Sequence, residues 1–279
     1  MPLLIDVMHL GRDRVIAAHL LRGLIIDPGP ASALDNWVDA LEGEPRALVL
    51  THIHLDHAGA SGSLVRRFPH LLVYVHERGA PHLADPSKLL ASAGQLYGEE
   101  NMERLWGEVA PVPSEAIVAL EGGEEVEGLR VAYTPGHASH HVSYLDLDSG
   151  DAYVGDMAGV RIPPSDYTLM PTPPPDIDIE AWEASLDAIG AWKPRRLHLT
   201  HFGPTTAVEG QLDRARASLR RVGELSRGRD RDAYLRELDA DVEEQADPEA
   251  AVRLRQAAPP EFDWLGLERY WRKWEARKT

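Results

Sequence analysis

The chain has 279 residues and no cysteine, with 43% hydrophobic and 27% charged side chains and a formal net charge of −16. That composition belongs to a globular protein long enough to bury a sizeable core, as one large domain or as a domain with an appendage. It excludes disulfides and thiolate metal ligands, and the acidic balance argues against a general affinity for nucleic acid or anionic membranes.

Strand-like runs come early, at Leu3–Val7, Val15–Leu21 and Leu24–Ile26, bounded by turn residues such as Gly11 and Asp27-Pro28-Gly29. Ser32 is placed to cap a helix reaching about Leu41, with Leu34, Trp37, Val38 and Leu41 on one face. Ala47–Leu50 reads as a buried strand, Ser61–Phe68 as a helix and Leu71–Val75 as a further strand. Asp85-Pro86-Ser87 opens a helical segment that runs to about residue 110 and interrupts the strands. It either covers a site or packs on the core as a helical pair.

Strands resume at Ile117–Leu120, Leu129–Thr134, Val142–Leu147 and Ala152–Val154. The proline-rich stretch Pro163 to Pro175 is expected to be irregular, Ile179–Ile189 helical, and Arg196–Leu199 the last strand. Residues 205–279 read as helices only, with breaks near Gly228, Pro248 and Pro259. The expected organisation is an α/β domain over 1–204 and a helical C-terminal extension over 205–279. The N-terminus lacks a basic flank before a long apolar stretch, and no run approaches the ~20 apolar residues of a membrane span. The expectation is a soluble, cytoplasmic protein.

Four histidine-bearing or acidic pieces follow strand-like runs: Thr-His-Ile-His-Leu-Asp-His at 51–57, Thr-Pro-Gly-His at 134–137, Val-Gly-Asp at 154–156 and Leu-Thr-His at 199–201. A lone histidine is more often a packing or surface residue than a ligand. The cluster is different, because His52, His54, Asp56 and His57 stand within six residues, directly after a buried strand. Buried charge is costly unless paired or metal-bound. Imidazole and carboxylate donors suit zinc, and also iron or manganese.

The motif His-x-His-x-Asp-His, with His137, Asp156 and His201 after it, resembles the metallo-β-lactamase superfamily over roughly residues 3–204. The resemblance implies an αβ/βα sandwich, a four-layer α/β fold, with two divalent metal ions, zinc first, at one edge. By analogy His52, His54 and His137 hold one ion, Asp56, His57 and His201 the other, and Asp156 bridges them. A shared hydroxide would attack an electrophilic carbonyl or phosphorus. Asp56 in the motif is the pattern of the glyoxalase II, lactonase and nuclease branches, and the surrounding phrases resemble an uncharacterised hydrolase-like branch.

The favoured activity is therefore hydrolysis of a lactone, a thioester or a related ester-type bond in a small molecule. A phosphodiesterase or nuclease, an iron-containing redox protein and a non-catalytic metal-binding protein are the alternatives. No Gly-x-Ser-x-Gly elbow or phosphate-cradling glycine loop is evident. Arg214, Arg216, Arg220 and Arg221 form one candidate basic patch. Tyr167 is a candidate hydrogen-bond donor to the oxyanion, set against packing on the proline-rich loop. His141 is expected to support the ligands, His140 to be a surface or packing residue or else to face the cavity, and Asp27 either to support the ligand loops or to be a turn aspartate. His19, His76, His82 and His198 have no motif support. Trp264, Leu267, Tyr270, Trp271 and Trp274 would pack on their own domain or form a homodimer surface.

Overall fold

The structure is a computed structural model and describes residues 2–278. Among the described residues, twelve strands form two six-stranded sheets. The first runs in chain order, β1 (Leu3–Asp6), β2 (Ala17–Leu21), β3 (Leu24–Ile26), β4 (Ala47–Val49), β5 (Leu72–His76) and β6 (Ile117–Leu120). Its first three strands are antiparallel, and β3 to β6 pair in parallel. Parallel strands carry covering elements on both faces, so their residues read as unbroken apolar runs. Ala47, Leu48 and Val49 are all buried accordingly. Helices α1 (Leu55–Ala58) and α2 (Ser61–Arg67) follow β4, and α3 (Ala80–Ala84), α4 (Ser87–Tyr97) and α5 (Glu99–Trp106) lie between β5 and β6.

The second sheet contains β7 (Glu125–Val126), β8 (Leu129–Tyr133), β9 (Val142–Asp146), β10 (Asp151–Gly155), β11 (Arg196–Leu199) and β12 (Gly203–Thr205), in the order β12-β11-β10-β9-β8-β7. Strands β10 and β11 are parallel, connected through helix α6 (Ile179–Ala191). Four helices close the chain: α7 (Val208–Ser226), α8 (Arg231–Gln245), α9 (Pro248–Ala257) and α10 (Pro260–Ala276). Their boundaries fall at the breaks read near Gly228, Pro248 and Pro259. Asp230 and Asp247 cap α8 and α9, each accepting a first-turn N–H.

The chain divides into two compact units, one running to Tyr133 and including His140–Tyr144, the other holding Thr134–Ser139 and everything from Leu145 onward. In the second unit the C-terminal helices have no separate core. Leu212, Leu219, Leu238, Leu254, Trp264 and Leu267 join Val154, Trp182, Leu186 and Leu197 in one buried cluster. Tyr270 is buried in that cluster too, and Trp271 and Trp274 pack against it.

Two local readings change, and a third is resolved. The helix expected from Ser32 to Leu41 is two 3-10 turns, Ala31–Asn36 and Val38–Ala40. Trp37 sits between them at φ −139°, Leu41 is extended, and the Ser32 hydroxyl reaches Leu105 O instead of capping a helix. Leu34, Trp37 and Val38 of the expected face are buried and Leu41 is only partly so, so the pattern reported burial at three of its four positions and hydrogen-bond type incorrectly. Strands β7 and β12, of two and three residues, carried no apolar run to announce them. The segment 85–110 is a helical pair, in which Leu89, Ala93, Tyr97, Met102, Leu105 and Trp106 pack around Leu55.

Candidate metal centre

The His-rich motif begins where β4 ends, at the C-terminal edge of a parallel strand, where open α/β sheets place ligands. Helix α1 starts after His54 and is one turn long. That turn carries Asp56 and His57, with the His57 N–H bonded back to His54 O at 3.0 Å. His52 and His57 are fully buried, whereas His54 and Asp56 are partly exposed. The facing ring atoms His52 Nε2 and His54 Nδ1 lie 3.0 Å apart.

Asp27 organises this half of the centre. It is buried, at the end of β3, with a positive φ of 49°. Its Oδ1 accepts the Thr51 N–H at 2.8 Å, and its Oδ2 accepts both the Thr51 hydroxyl at 2.6 Å and His57 Nδ1–H at 2.9 Å. A carboxylate only accepts, so the Thr51 proton points at Asp27. The Thr51 oxygen is then left to accept from His52 Nδ1–H at 3.1 Å. One aspartate thus fixes the tautomers of two histidines and turns the Nε2 lone pair of each toward the site. The reading of Asp27 as a support for the ligand loops holds, and the turn-aspartate reading does not describe it.

His141 is fully buried, its ring stacked on His52 with centroids 5.0 Å apart. His140 is half-buried, stacked on His52 at 6.1 Å and edge-on to His54 at 5.7 Å. It therefore belongs beside the donors rather than on a remote surface.

His137, Asp156 and His201 lie in the second unit. Parallel strands β10 and β11 end level, Gly155 opposite Leu199, so Asp156 and His201 emerge side by side. The two Asp156 oxygens face different histidines: Oδ2 is 3.2 Å from His137 Nε2, and Oδ1 is 3.5 Å from His201 Nε2. His137 Nδ1–H donates to Pro171 O at 2.9 Å, which again commits Nε2 to the site. Gly136, at φ 139°, lets this loop press on α6, where a Cβ would overlap the Cα of Trp182. The Trp182 ring lies edge-on to His137 and its Nε1–H donates to Met157 O.

The seven residues read as ligands fall into two groups able to hold an ion, His52 with His54, His137 and Asp156, and Asp56 with His57 and His201. Within each group the donor atoms lie within 4.8 Å of one another. Five imidazoles and two carboxylates, with no thiolate, suit zinc, iron or manganese.

Of the two readings of Tyr167, the structure favours packing. Its ring packs against the apolar cluster of the second unit. Burial raises its hydroxyl to about 12, with Asp241 of α8 and Arg221 of α7 the charges that act on it. Those neighbours are surface groups of the C-terminal helices, so packing describes it better than oxyanion contact. The arginine patch is also neutralised: Arg216 pairs with Asp187, Arg220 with Glu183, and Arg221 with Asp241. His76 stacks on Tyr133, and His198 on Tyr153 while bonded to Asp151, so both are structural. No helix among the described residues is long and apolar enough to cross a membrane.

Comparison with known proteins agrees with this geometry. The sequence model of the metallo-beta-lactamase superfamily matches residues 16–201. The metallo-beta-lactamase fold-containing protein ST1585 of Sulfurisphaera tokodaii is 29% identical over 190 residues, covering 64% of this chain and 68% of that protein. Its crystal structure superposes with a TM-score of 0.72 at 23% identity, over 96% of this chain and 98% of that one. The probable metallo-hydrolase YqgX of Bacillus subtilis is 31% identical over 48% of this chain and 60% of that protein. A di-iron-bound structure of TTHA1623 is 25% identical, with a TM-score of 0.50 over 76% of this chain and 90% of that one. The chain belongs to the metallo-β-lactamase superfamily, as a metal-dependent hydrolase with histidine and aspartate donors.

Proposed function

We propose that the two donor groups hold two divalent metal ions, zinc first, and that the chain hydrolyses an ester-type bond, a lactone or a thioester. The observation that carries this reading is the sorting of all seven donors into two groups, with the two Asp156 oxygens turned to a histidine of each. When bound, the ions supply Lewis-acid polarisation and a hydroxide nucleophile at neutral pH. The chain does the rest. Asp27 and Pro171 O hold ligand tautomers, so no proton has to leave a ring before a ligand can act. His54 and Asp56, the partly exposed members, mark the side from which substrate reaches the donors, with His140 beside them as a hydrogen-bonding imidazole.

A phosphodiester is the weaker substrate class, because the arginines of α7 that could have met phosphate are engaged by carboxylates. Iron as the resident metal is the second reading, supported by the di-iron form of TTHA1623. Metal quantification on purified protein, followed by a screen of lactones, thioesters and phosphodiesters, tests both. The expected result is two ions per chain and ester-type turnover that disappears in His54→Ala. Fewer than two ions, or turnover that survives His54→Ala, would sink the proposal. Iron as the dominant metal, with redox activity, would favour the second reading.

A further inference from the structure

The C-terminal helix α10 reaches the candidate centre through one peptide group, and that contact lies wholly within the second unit. Asp263, in the first turn of α10, is 1% exposed. Its Oδ1 accepts the Thr172 N–H at 2.6 Å, and its main-chain oxygen accepts the Thr172 hydroxyl at 3.3 Å. The peptide that donates this N–H is the one whose carbonyl, Pro171 O, accepts His137 Nδ1–H at 2.9 Å. A peptide is planar and rigid. Its two ends are therefore coupled: a rotation that loses the Asp263 bond also swings the carbonyl off His137.

The rest of α10 holds the same segment along one helical face. Gly266 lies so close to Thr172 O and Pro173 that a Cβ there would overlap them. Arg269 and Lys273 both donate to Pro175 O, at 3.1 and 3.3 Å. Positions 263, 266, 269 and 273 recur at helical spacing, so one stripe of α10 carries all four contacts. A first-turn aspartate serves many helices by accepting the helix's own N–H groups; the bond made by this one reaches 91 residues back along the chain.

We infer that Asp263 is a positioning residue for His137, acting through the Pro171–Thr172 peptide. The inference rests on the reading of His137 as a metal ligand. A ring whose Nδ1–H has lost its acceptor can turn, and removing such outer partners costs metal affinity about 10- to 100-fold. The effect falls on one ion, the one that shares His52, His54 and His137.

The test uses the full chain stripped of metal, titrated with Zn(II) against a chromophoric chelator and separately loaded with Co(II) to read the visible ligand-field bands. Asp263→Ala is expected to weaken one of the two sites about tenfold and shift the Co(II) bands. Asp263→Asn keeps an acceptor toward Thr172 N–H and is expected to restore both. Leu267→Ala, a fully buried apolar position of the same helix, is expected to lower Tm at least as much while leaving affinity and spectrum unchanged. Wild-type affinity and spectrum in Asp263→Ala, or an equal affinity loss in Leu267→Ala, overturns the inference. Should Asp263→Ala not fold, Gly266→Ala, which pushes α10 off Thr172, gives the same readout: weaker binding supports the role and unchanged binding removes it. A wild-type chain that takes up no ion removes the underlying reading of the site. Two ions held equally by wild type and variant remove only the positioning role.

Discussion

Replacing Asp27 with asparagine separates packing from proton placement. The two side chains have nearly the same shape, so the buried pocket at the end of β3 stays filled. An amide can keep its oxygen on the Thr51 N–H, where Oδ1 now accepts at 2.8 Å. Its NH₂ then occupies the Oδ2 position, facing the Thr51 hydroxyl and His57 Nδ1, and it donates where the carboxylate accepted. His57 must then carry its proton on Nε2. The Thr51 hydroxyl, now an acceptor, turns its own proton to His52 Nδ1 and drives that ring to the same tautomer. Both ligand nitrogens become N–H groups. Loss of one such partner costs about 10- to 100-fold in metal affinity, and His52 and His57 belong to different donor groups, so both ions are expected to weaken by at least about tenfold. The loss of charge-assisted hydrogen bonds costs the apo fold about 1.5–3 kcal/mol. Competitive Zn(II) titration of the apo protein measures the first effect and urea unfolding the second. Asp27→Asn that binds both ions with wild-type affinity would refute the tautomer argument, even if it lowered stability as expected.

Three further outcomes follow from the geometry. Burial raises the Asp263 carboxyl to about 8, from an ordinary value of 3.8, so the folded chain holds this proton between about pH 4 and pH 8 while the unfolded chain releases it. Stability drawn from the neutral acid is full below pH 4 and is lost as pH rises through 8; Asp263→Asn, which cannot ionise, is expected to gain on wild type by a few kcal/mol between pH 5 and pH 9, and parallel Tm-versus-pH curves would contradict it. Gly136→Ala places a methyl group against the Trp182 backbone and is expected to destabilise by roughly 1–3 kcal/mol in urea unfolding, with His137 displaced; an unchanged midpoint would count against the close approach. Tyr167→Phe is expected to leave kcat/KM on an active ester-type substrate within about threefold, since a lost hydrogen bond in the transition state would cost ~10²-fold or more; a drop of that size would return Tyr167 to the reacting centre.

What could be read from the chain divides along the distance over which each signal acts. The motif at 51–57 was legible because its chemistry is local: four donors follow a strand whose three residues must be apolar to lie between β3 and β5. His137, Asp156 and His201 were legible only with the superfamily pattern in hand. Singly, each is a histidine or aspartate after a strand, and the level ends of β10 and β11 that set two of them side by side are a pairing register no local spacing encodes. Tyr167 was left between two roles for the same reason. Sequence proximity to Asp156 said nothing about the path of the proline-rich segment, which packs the Tyr167 ring against the apolar cluster of the second unit.

The contacts of the supporting residues lie further still from view, although Asp27 was read as one of two things, a support or a turn residue. Asp27 precedes Thr51 by 24 residues, and Asp263 follows Thr172 by 91. Each is an unremarkable acid in its own neighbourhood, one in a turn and one in the first turn of a helix. A metal centre needs ring nitrogens presented with the right proton on the far side, and that proton is set by whichever acceptor the tertiary fold delivers. Ligand identity is therefore written in short motifs, while ligand readiness is written in contacts between distant segments. Variants at Asp27 and Asp263 should consequently change metal affinity without touching a single ligand, and that separation is the physical content of calling the centre preorganised.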